Sequence, residues 1–137
     1  MRRILFAVLL AAGSVMMSLM SAGTAAASLG PPYVARAEWA KWGDLSSLRV
    51  YPTAAGRAAS GHPDWQPAAE EAWAEVLALA PDAAMPGMRE QFDCHWSLAE
   101  LAQPGKTSWN LEPWRPEVDI AQMAAAHCNP GGTEEPF

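Results

Sequence analysis

The chain is short and acidic: its 137 residues include 15 Asp and Glu against 9 Lys and Arg, giving a formal net charge of −6. A surface of this sign repels nucleic acid and anionic lipid, so we expect no nucleic-acid partner. The length is sufficient for one domain and too small for two.

The N-terminal segment, residues 1–27, has the features of a signal peptide. Two arginines give it a positive start, and an uninterrupted apolar run extends from Ile4 to Ala12. Small residues then lead to three alanines before Ser28, which is the pattern that signal peptidases cleave. We therefore expect the protein to be secreted or associated with the cell envelope.

An uncleaved membrane anchor is the alternative for this segment. A spanning helix needs about 20 predominantly apolar residues, and Gly13, Ser14 and Ser18 interrupt the run before that length. No stretch of residues 28–137 is apolar for long enough to span a membrane. We expect residues 28–137 to form a single domain that ends in a loose tail, residues 133–137.

A β-hairpin is predicted at the start of this domain. Apolar and polar side chains alternate over residues 33–42, as in a strand with one buried face. Turn-forming residues over 43–47 precede a second alternating stretch, residues 48–52, which ends in a proline that cannot donate to a strand ladder. Residues 54–62 fit a loop or a short irregular helix.

Three helices are predicted after the hairpin. The first begins near Pro63–Pro67, where Asp64 is a candidate cap, and stops at Pro81. The second extends over residues 86–103, ahead of a Pro-Gly pair. The third extends over residues 116–128, from a proline to a run of helix-stop residues.

Apolar stripes indicate which helix faces are buried. The buried face of the first helix is predicted to carry four apolar residues: Trp73, Val76, Leu77 and Ala80. The second helix has a stripe at i, i+3 and i+4 spacing: Met88, Phe92, Trp96 and Ala99. One hairpin, or a small antiparallel sheet, packed by two to three helices makes an α+β fold.

Cys94 and Cys128 are the only cysteines, and outside the cytoplasm two thiols in a small domain usually form a disulfide. The bond would close a loop of about 35 residues and stabilise the fold by roughly 3.5–4 kcal/mol on the loop-entropy model. His95 and His127 stand beside the two cysteines, which raises a zinc site as the alternative. Adjacent residues point in different directions, so two such pairs do not easily converge on one tetrahedral ion. We predict a disulfide and no metal.

The segment Lys106–Pro116 carries the densest mixture of polar and aromatic side chains. Amine, amide, carboxylate and guanidinium groups of this kind bind anions and move protons, which makes the segment the candidate site. Five of its residues are predicted to bind: Lys106, Trp109, Asn110, Trp114 and Arg115. The candidates for catalysis are Glu112 and, on the second helix, His95, since histidine titrates near neutral pH.

A purely structural arrangement of the same residues is the competing interpretation. In it, Glu112 pairs with Arg115, Asn110 bonds to the loop backbone, and His95 is a satisfied helix residue. The predicted disulfide returns the chain to the second helix. We therefore expect His95 and the Lys106–Pro116 segment to lie close together under either interpretation.

The tryptophans allow two interpretations as well. The chain has 7 of them, and each can bury up to ~250 Å² in a small core or form a platform for a sugar ring or a peptide. Trp73 and Trp96 lie on predicted apolar faces and are assigned to the core. The four whose place stays open are Trp39, Trp42, Trp109 and Trp114.

These features favour a non-enzymatic binding domain whose partner is a protein, peptide or glycan outside the cytoplasm. The alternative is a small secreted hydrolase or effector, in which His95 and Glu112 exchange protons while Lys106 and Arg115 stabilise an anion. An open polar cleft around these groups would favour the enzyme, and burial in mutual pairs would disfavour it. No Gly-rich phosphate loop is present, and no cofactor is predicted.

Several stretches of the sequence resemble a known family. They are Gly87–His95 (Gly-Met-Arg-Glu-Gln-Phe-Asp-Cys-His), Lys106, Trp109–Pro116 (Trp-Asn-Leu-Glu-Pro-Trp-Arg-Pro) and Cys128–Pro130. Leu48–Arg57 is similar to the N-terminal segment of the same family. The family comprises small exported actinobacterial proteins known only as a domain of unknown function. The resemblance covers nearly all of the chain after the signal segment and implies export, one domain and paired cysteines; it supplies no catalytic residue.

We predict that the secreted protein begins near Ser28. Intact mass spectrometry of the culture supernatant should find a species that lacks residues 1–27, because the small-residue site is where the peptidase cuts. A species that retains Arg2 and Arg3 would show that the segment is an uncleaved anchor instead.

Overall fold

The computed structural model describes residues 30–132, and these form the α+β fold that the sequence predicts. The strands are β1 (Val34–Trp42), β2 (Leu45–Pro52) and β3 (Trp109–Leu111). The helices are α1 (Ala54–Ala59), α2 (Gln66–Leu79), α3 (Met88–Ala102) and α4 (Ile120–Ala125), with a 3-10 turn at Pro81–Ala83. The predicted signal peptide and the predicted tail lie outside the described residues. Within residues 30–132, no helix is long and apolar enough to cross a membrane.

The three strands form one antiparallel sheet in the order β1-β2-β3. The predicted hairpin is confirmed, and β3 extends it by a third strand. On the face towards the helices, Trp39, Leu48 and Leu111 stand in register across the sheet, and Val50 pairs with Trp109 in the next row. Except for the half-buried Trp39, these side chains are fully buried. This face of the sheet is therefore one wall of the core.

The hairpin turn is tighter than the sequence predicts. Gly43 and Asp44 alone connect the strands, and Gly43 has a φ of +59°, a left-handed conformation that glycine adopts without steric penalty. Because two residues suffice, Ser46 and Ser47 belong to β2 rather than to the turn. Side chains alternate along a strand, so Ser47 lies on the sheet face that points away from the core.

The helices bury most of their predicted apolar stripes against this sheet; Leu77 of α2, predicted to be buried, is only half-buried. Trp96 lies in an aromatic cluster in which the rings of Tyr33 and Trp109 are each 5.8 Å from it, in edge-to-face geometry. Phe92 packs against both Trp96 and Trp73, with ring centroids 5.8 Å and 5.4 Å away. Such pairs attract each other beyond the effect of their buried area. The cluster therefore fixes α2 and α3 to the sheet.

The tryptophans divide between the core and the surface. Trp73 and Trp96 are buried as predicted, and Trp109 is fully buried as well. Trp42, next to the hairpin turn, is 52% exposed. The half-buried ones are Trp39, Trp65 and Trp114.

The predicted disulfide is confirmed. The sulfur atoms of Cys94 and Cys128 are 2.07 Å apart, and the Cα atoms are 5.5 Å apart. The bond links α3 to the chain just after α4, across 34 positions of sequence. A closure of this length restricts the unfolded chain and stabilises the fold by roughly 3.5–4 kcal/mol on the loop-entropy model.

The prediction of the third helix is wrong in its extent, because α4 covers only part of residues 116–128. The helix starts after Asp119, whose carboxylate accepts a hydrogen bond from the Gln122 amide at 2.8 Å, while the Gln122 side chain bonds back to the Asp119 amide. It ends before His127 and Cys128, whose φ values are 51° and 66°. Left-handed residues cannot continue a right-handed helix. This turn is the one that brings Cys128 to α3.

The start of α2 also differs from the prediction. The cap position is occupied by Trp65 rather than by Asp64, and no side chain caps the helix there. A proline in the first turn still suits this end, since its missing N–H group would have no helical partner.

Replacement of Trp73 by alanine should destabilise the domain by about 3–5 kcal/mol, because it removes a buried ring and leaves a cavity beside Phe92. Trp42→Ala is the matched control, since that ring is 52% exposed, and it should cost less than about 1 kcal/mol. Denaturant titration of both variants measures the difference. Equal stability of the two would mean that the Trp73 ring contributes no core packing.

Candidate functional site

The segment Lys106–Pro116 is anchored by β3, whose Trp109 and Leu111 side chains are fully buried in the core. Asn110, between them, lies on the opposite face of the sheet and is 6% exposed. Pro113 lacks an N–H group and cannot extend the strand ladder. The chain therefore leaves the sheet directly after β3.

Glu112 is the first residue after β3, and its side chain is fully buried. Its Oε2 atom accepts a hydrogen bond from Arg115 Nε at 2.6 Å, and its Oε1 atom accepts one from the Ser47 hydroxyl at 2.8 Å. The Arg115 side chain is fully buried too. Burial of two charges costs several kcal/mol per ion unless pairing and further hydrogen bonds compensate. Here both carboxylate oxygens have a donor.

Arg115 makes further bonds to the chain after α4. Its Nη1 atom donates to the backbone oxygens of Pro130 at 3.1 Å and of Gly132 at 2.8 Å. Its guanidinium carbon lies 4.6 Å from the centre of the Trp114 ring, in cation–π geometry. The Trp114 indole in turn donates to the Ser46 backbone oxygen at 3.0 Å. Arg115 therefore joins the C-terminal turn to the sheet.

Two residues of this region were not predicted from the sequence: Ser47, which was assigned to the hairpin turn, and Gln91, on α3. Gln91 is 1% exposed. Its side-chain oxygen accepts from the backbone N–H of Glu112, and its side-chain nitrogen donates to the Glu112 backbone oxygen, each at 2.9 Å. The Gln91 amide thus satisfies the backbone N–H and C=O of Glu112, as a neighbouring strand would if the sheet continued there. The sequence did carry a signal for Gln91: it is a polar residue beside Phe92, close to the apolar stripe of α3. A polar group buried there needs a hydrogen-bond partner. Glu112, Arg115, Ser47 and Gln91 are called the Glu112 network below.

Burial determines which of the predicted site residues a ligand can reach. Trp109, Asn110 and Arg115 are at most 6% exposed, and Glu112 is fully buried. In this conformation these four side chains contact the protein rather than a ligand. The arrangement corresponds to the structural interpretation of the segment, with the acid and the base in a buried pair. Lys106 and Trp114 are half-buried and reachable.

His95 connects to the Glu112 network through Gln91. Its Nδ1 atom lies 2.9 Å from the Gln91 backbone oxygen, and the residue is 4% exposed. As predicted, His95 and the start of the segment meet in space: His95 and Lys106 both line a cavity of about 440 Å³, called the polar cavity. Glu112 and Arg115 are not among the residues around it. The predicted acid–base set is therefore divided between two places.

A second cavity, of about 370 Å³, lies between α3, α4 and the loop before α2. Seven apolar side chains define it as the apolar groove: Trp65, Cys94, Leu98, Val118, Ile120, Met123 and Ala124. Its volume falls within the range of small binding sites, roughly 300–1,000 Å³. The sequence analysis did not identify it, because three segments far apart in the chain form its walls.

One end of the apolar groove is acidic, since Glu90 and Asp93 line it as well. Arg89 Nε bonds both Asp93 oxygens, at 2.8 and 2.9 Å, and its two Nη atoms bond Glu70 at 2.7 and 3.1 Å. Burial raises the pKa of the Asp93 carboxyl, and Arg89 offsets only part of this effect. The hydrogen bond from Arg89 lowers the pKa of Glu70. Asp93 and Glu70 thus share one arginine while Glu90 has none among the described residues, and this end of the groove is negative.

The part of the chain that the structure describes contains no set of side chains suited to bind a metal ion. Residues 30–132 contain no group of three or more His, Cys, Asp or Glu side chains placed to hold a metal ion. Cys94 and Cys128 are bonded to each other, so neither has a thiol that could bind a metal ion.

Comparison with known proteins places the sequence in a family. Residues 34–131, which contain the Glu112 network and the residues of both cavities, match DUF2599, described as a protein of unknown function. The chain belongs to the DUF2599 family. This confirms the resemblance seen in the sequence, and the DUF2599 description assigns no activity to any of these residues.

Relatives of the chain occur in mycobacteria. An uncharacterized protein of Mycobacterium tuberculosis is 59% identical over 112 residues, which cover 79% of this chain and 75% of the relative. An uncharacterized protein of Mycobacterium leprae is 47% identical over 103 residues, which cover 75% of this chain and 83% of the relative. No solved structure matches the chain.

Arg115→Ala should destabilise this DUF2599 domain by about 3–5 kcal/mol, because it leaves the Glu112 carboxylate buried without its cation. Arg36→Ala is the control. Arg36 pairs with Glu38 at 3.0 Å, but both side chains are more than half exposed, so the loss should be about 1 kcal/mol or less. Denaturant titrations of the two variants measure the contrast. A fully stable Arg115→Ala protein would contradict the structural role of the buried pair.

Proposed function

We propose that the protein is an exported, non-enzymatic binding domain that recognises its partner through the apolar groove. One contrast carries the proposal. The groups suited to chemistry, in the Glu112 network, are buried and paired with one another, whereas the apolar groove is open to solvent at Ile120, which is 89% exposed.

Catalysis by the predicted residues would require them to converge on a space that a substrate can enter. Glu112 instead has both carboxylate oxygens occupied, by Arg115 and Ser47. It could accept a proton from a substrate only after losing its ion pair while still buried, which is costly. His95 lines the polar cavity without this acid. The hydrolase or effector alternative therefore lacks its acid–base pair.

The apolar groove supplies what a binding site needs. An apolar concave surface with a few charged groups at one end is a common form of ligand site. Full burial of an aliphatic side chain such as Ile120 contributes about 1.5–3 kcal/mol, so a partner that covers it gains affinity. A protein or peptide suits these walls better than a glycan, because apolar walls offer few partners for sugar hydroxyls.

The location outside the cytoplasm is part of the proposal. Residues 1–27 have the sequence features of a signal peptide. The Cys94–Cys128 disulfide fits an oxidising compartment, since such bonds rarely persist in the cytosol.

Ile120→Asp should abolish binding of the neutral apolar fluorophore N-phenyl-1-naphthylamine, because a carboxylate at the edge of the groove opposes its occupation by an apolar molecule. Folding should be unaffected, since Ile120 is 89% exposed. Leu79→Asp is the matched control: it makes the same kind of change at an aliphatic residue that is 49% exposed, outside the groove. Fluorescence titration compares the variants. The proposal fails if the unmodified protein gives no fluorescence increase, or if both variants lose it equally.

A further inference from the structure

We propose that the apolar groove takes a cationic amphipathic peptide segment from another protein, with apolar side chains seated in the groove and Lys or Arg side chains at its acidic end. This inference rests on the proposed function and names the partner of the same site. Three observations carry it: the length of the groove, the exposed outer face of α4, and the sign of the charges.

The groove is long enough for a short peptide segment. From Glu90 to Leu98, α3 runs along it, and at 1.5 Å per residue these positions are about 12 Å apart. That distance corresponds to about two turns of a docked helix. Peptides that bind in this way place apolar residues at helical spacing into an apolar groove.

The exposed side of α4 continues the apolar surface past the lining of the groove. Ile120 and Ala124 line the groove, Met123 is buried, and Ala121 and Ala125 are exposed outside the lining. Large contiguous exposed apolar surfaces mark interaction sites rather than ordinary solvent-facing helix surface. A small molecule in the groove would leave this face in water, whereas a peptide that spans the groove would cover part of it. The extent of the surface therefore favours a peptide over a small ligand.

The charges around the groove select a cation. Its described lining contains Glu90 and Asp93 and no Lys, Arg or His. Glu90 is exposed and makes no ion pair within residues 30–132. The neighbouring Arg89 is already bound to Asp93 and Glu70. An incoming Lys or Arg therefore meets uncompensated negative charge at one end of the groove.

A second copy of the chain is a poor occupant of the same groove. Around Ile120, the nearby exposed acids Glu117 and Asp119 add to the negative charge of Glu90 and Asp93. Two copies that met through this face would bring like charges together, and this repulsion opposes their association. The chain as a whole is also acidic, with a net charge of −6.

Fluorescence anisotropy with two synthetic peptides tests the inference on the disulfide-intact protein. One peptide is an amphipathic helix of about 14 residues, or four turns, made of Leu and Lys; the other has Glu in place of every Lys. We expect the Leu/Lys peptide to bind at least tenfold more tightly than the Leu/Glu peptide, and its affinity to fall as salt is raised from about 0.05 to 0.5 M.

Two pairs of variants connect this binding to the groove. Ile120→Asp should abolish binding of the Leu/Lys peptide, whereas Leu79→Asp should leave it unchanged. Glu90→Lys should weaken binding about fivefold or more, because it replaces attraction by repulsion at the acidic end. Glu71→Lys changes the net charge by the same amount at an exposed position outside the groove and should have a much smaller effect.

The outcomes separate this inference from the proposed function. Equal binding of both peptides, lost in Ile120→Asp, would overturn the preference for a cation and leave the binding function in place. Equal weakening by Glu90→Lys and Glu71→Lys would overturn the inference, because the attraction would then come from the whole surface. Binding of N-phenyl-1-naphthylamine without binding of either peptide would overturn the peptide as occupant. If neither the fluorophore nor a peptide binds, the proposed function fails as well.

Discussion

The ion pair between Glu112 and Arg115 can be buried only because three separate parts of the chain supply its hydrogen bonds. Ser47 of β2 donates to the carboxylate, Gln91 of α3 holds the backbone of Glu112, and carbonyl oxygens of the turn after α4 accept from the guanidinium. Loss of any one would leave a buried polar group unsatisfied, at about 1–3 kcal/mol or more. The pair therefore requires the sheet, α3 and the C-terminal turn to stand in one arrangement. Both cavities beside α4 depend on that arrangement.

Local sequence signals predict the longer elements, whereas they leave α1 open between a loop and a short helix, make α4 too long and miss β3. α2 and α3 have apolar stripes over several turns, and the two cysteines allow one pairing. α4 has six residues, too few for a stripe, and its extent is set by a capping box at its start and by the left-handed turn at its end. The spacing of Asp119 and Gln122 was readable in the sequence. The left-handed turn at His127 and Cys128 could not be read from the sequence in this way, because it accompanies the bond between Cys128 and Cys94 of α3. β3 has three residues, and its existence depends on pairing with β2.

The same limit applies to the candidate site. The return of the chain to α3 through the disulfide was enough to predict that His95 meets the start of the Lys106–Pro116 segment, at Lys106. Whether Glu112 and Arg115 face water or each other could not be predicted, because an acid and a base three residues apart suit an active site and an ion pair equally. The ion pair is favoured by the hydrogen bonds that Glu112 forms with two distant residues. These are Ser47, 65 positions from Glu112, and Gln91, 21 positions from it. The apolar groove depends on distant segments in the same way.

The short helix α4 is held at both ends and free along its outer side. The Asp119 cap fixes its start, the Cys94–Cys128 bond fixes the chain just after its end, and Met123 is its one buried side chain. Substitutions at its outward positions should therefore change the free energy of unfolding by no more than about 0.5 kcal/mol. Under the proposed binding function, stability and specificity are assigned to different residues of one ten-residue stretch, 119–128. On that proposal, substitutions can alter what this surface recognises, position by position, without first having to restore the fold.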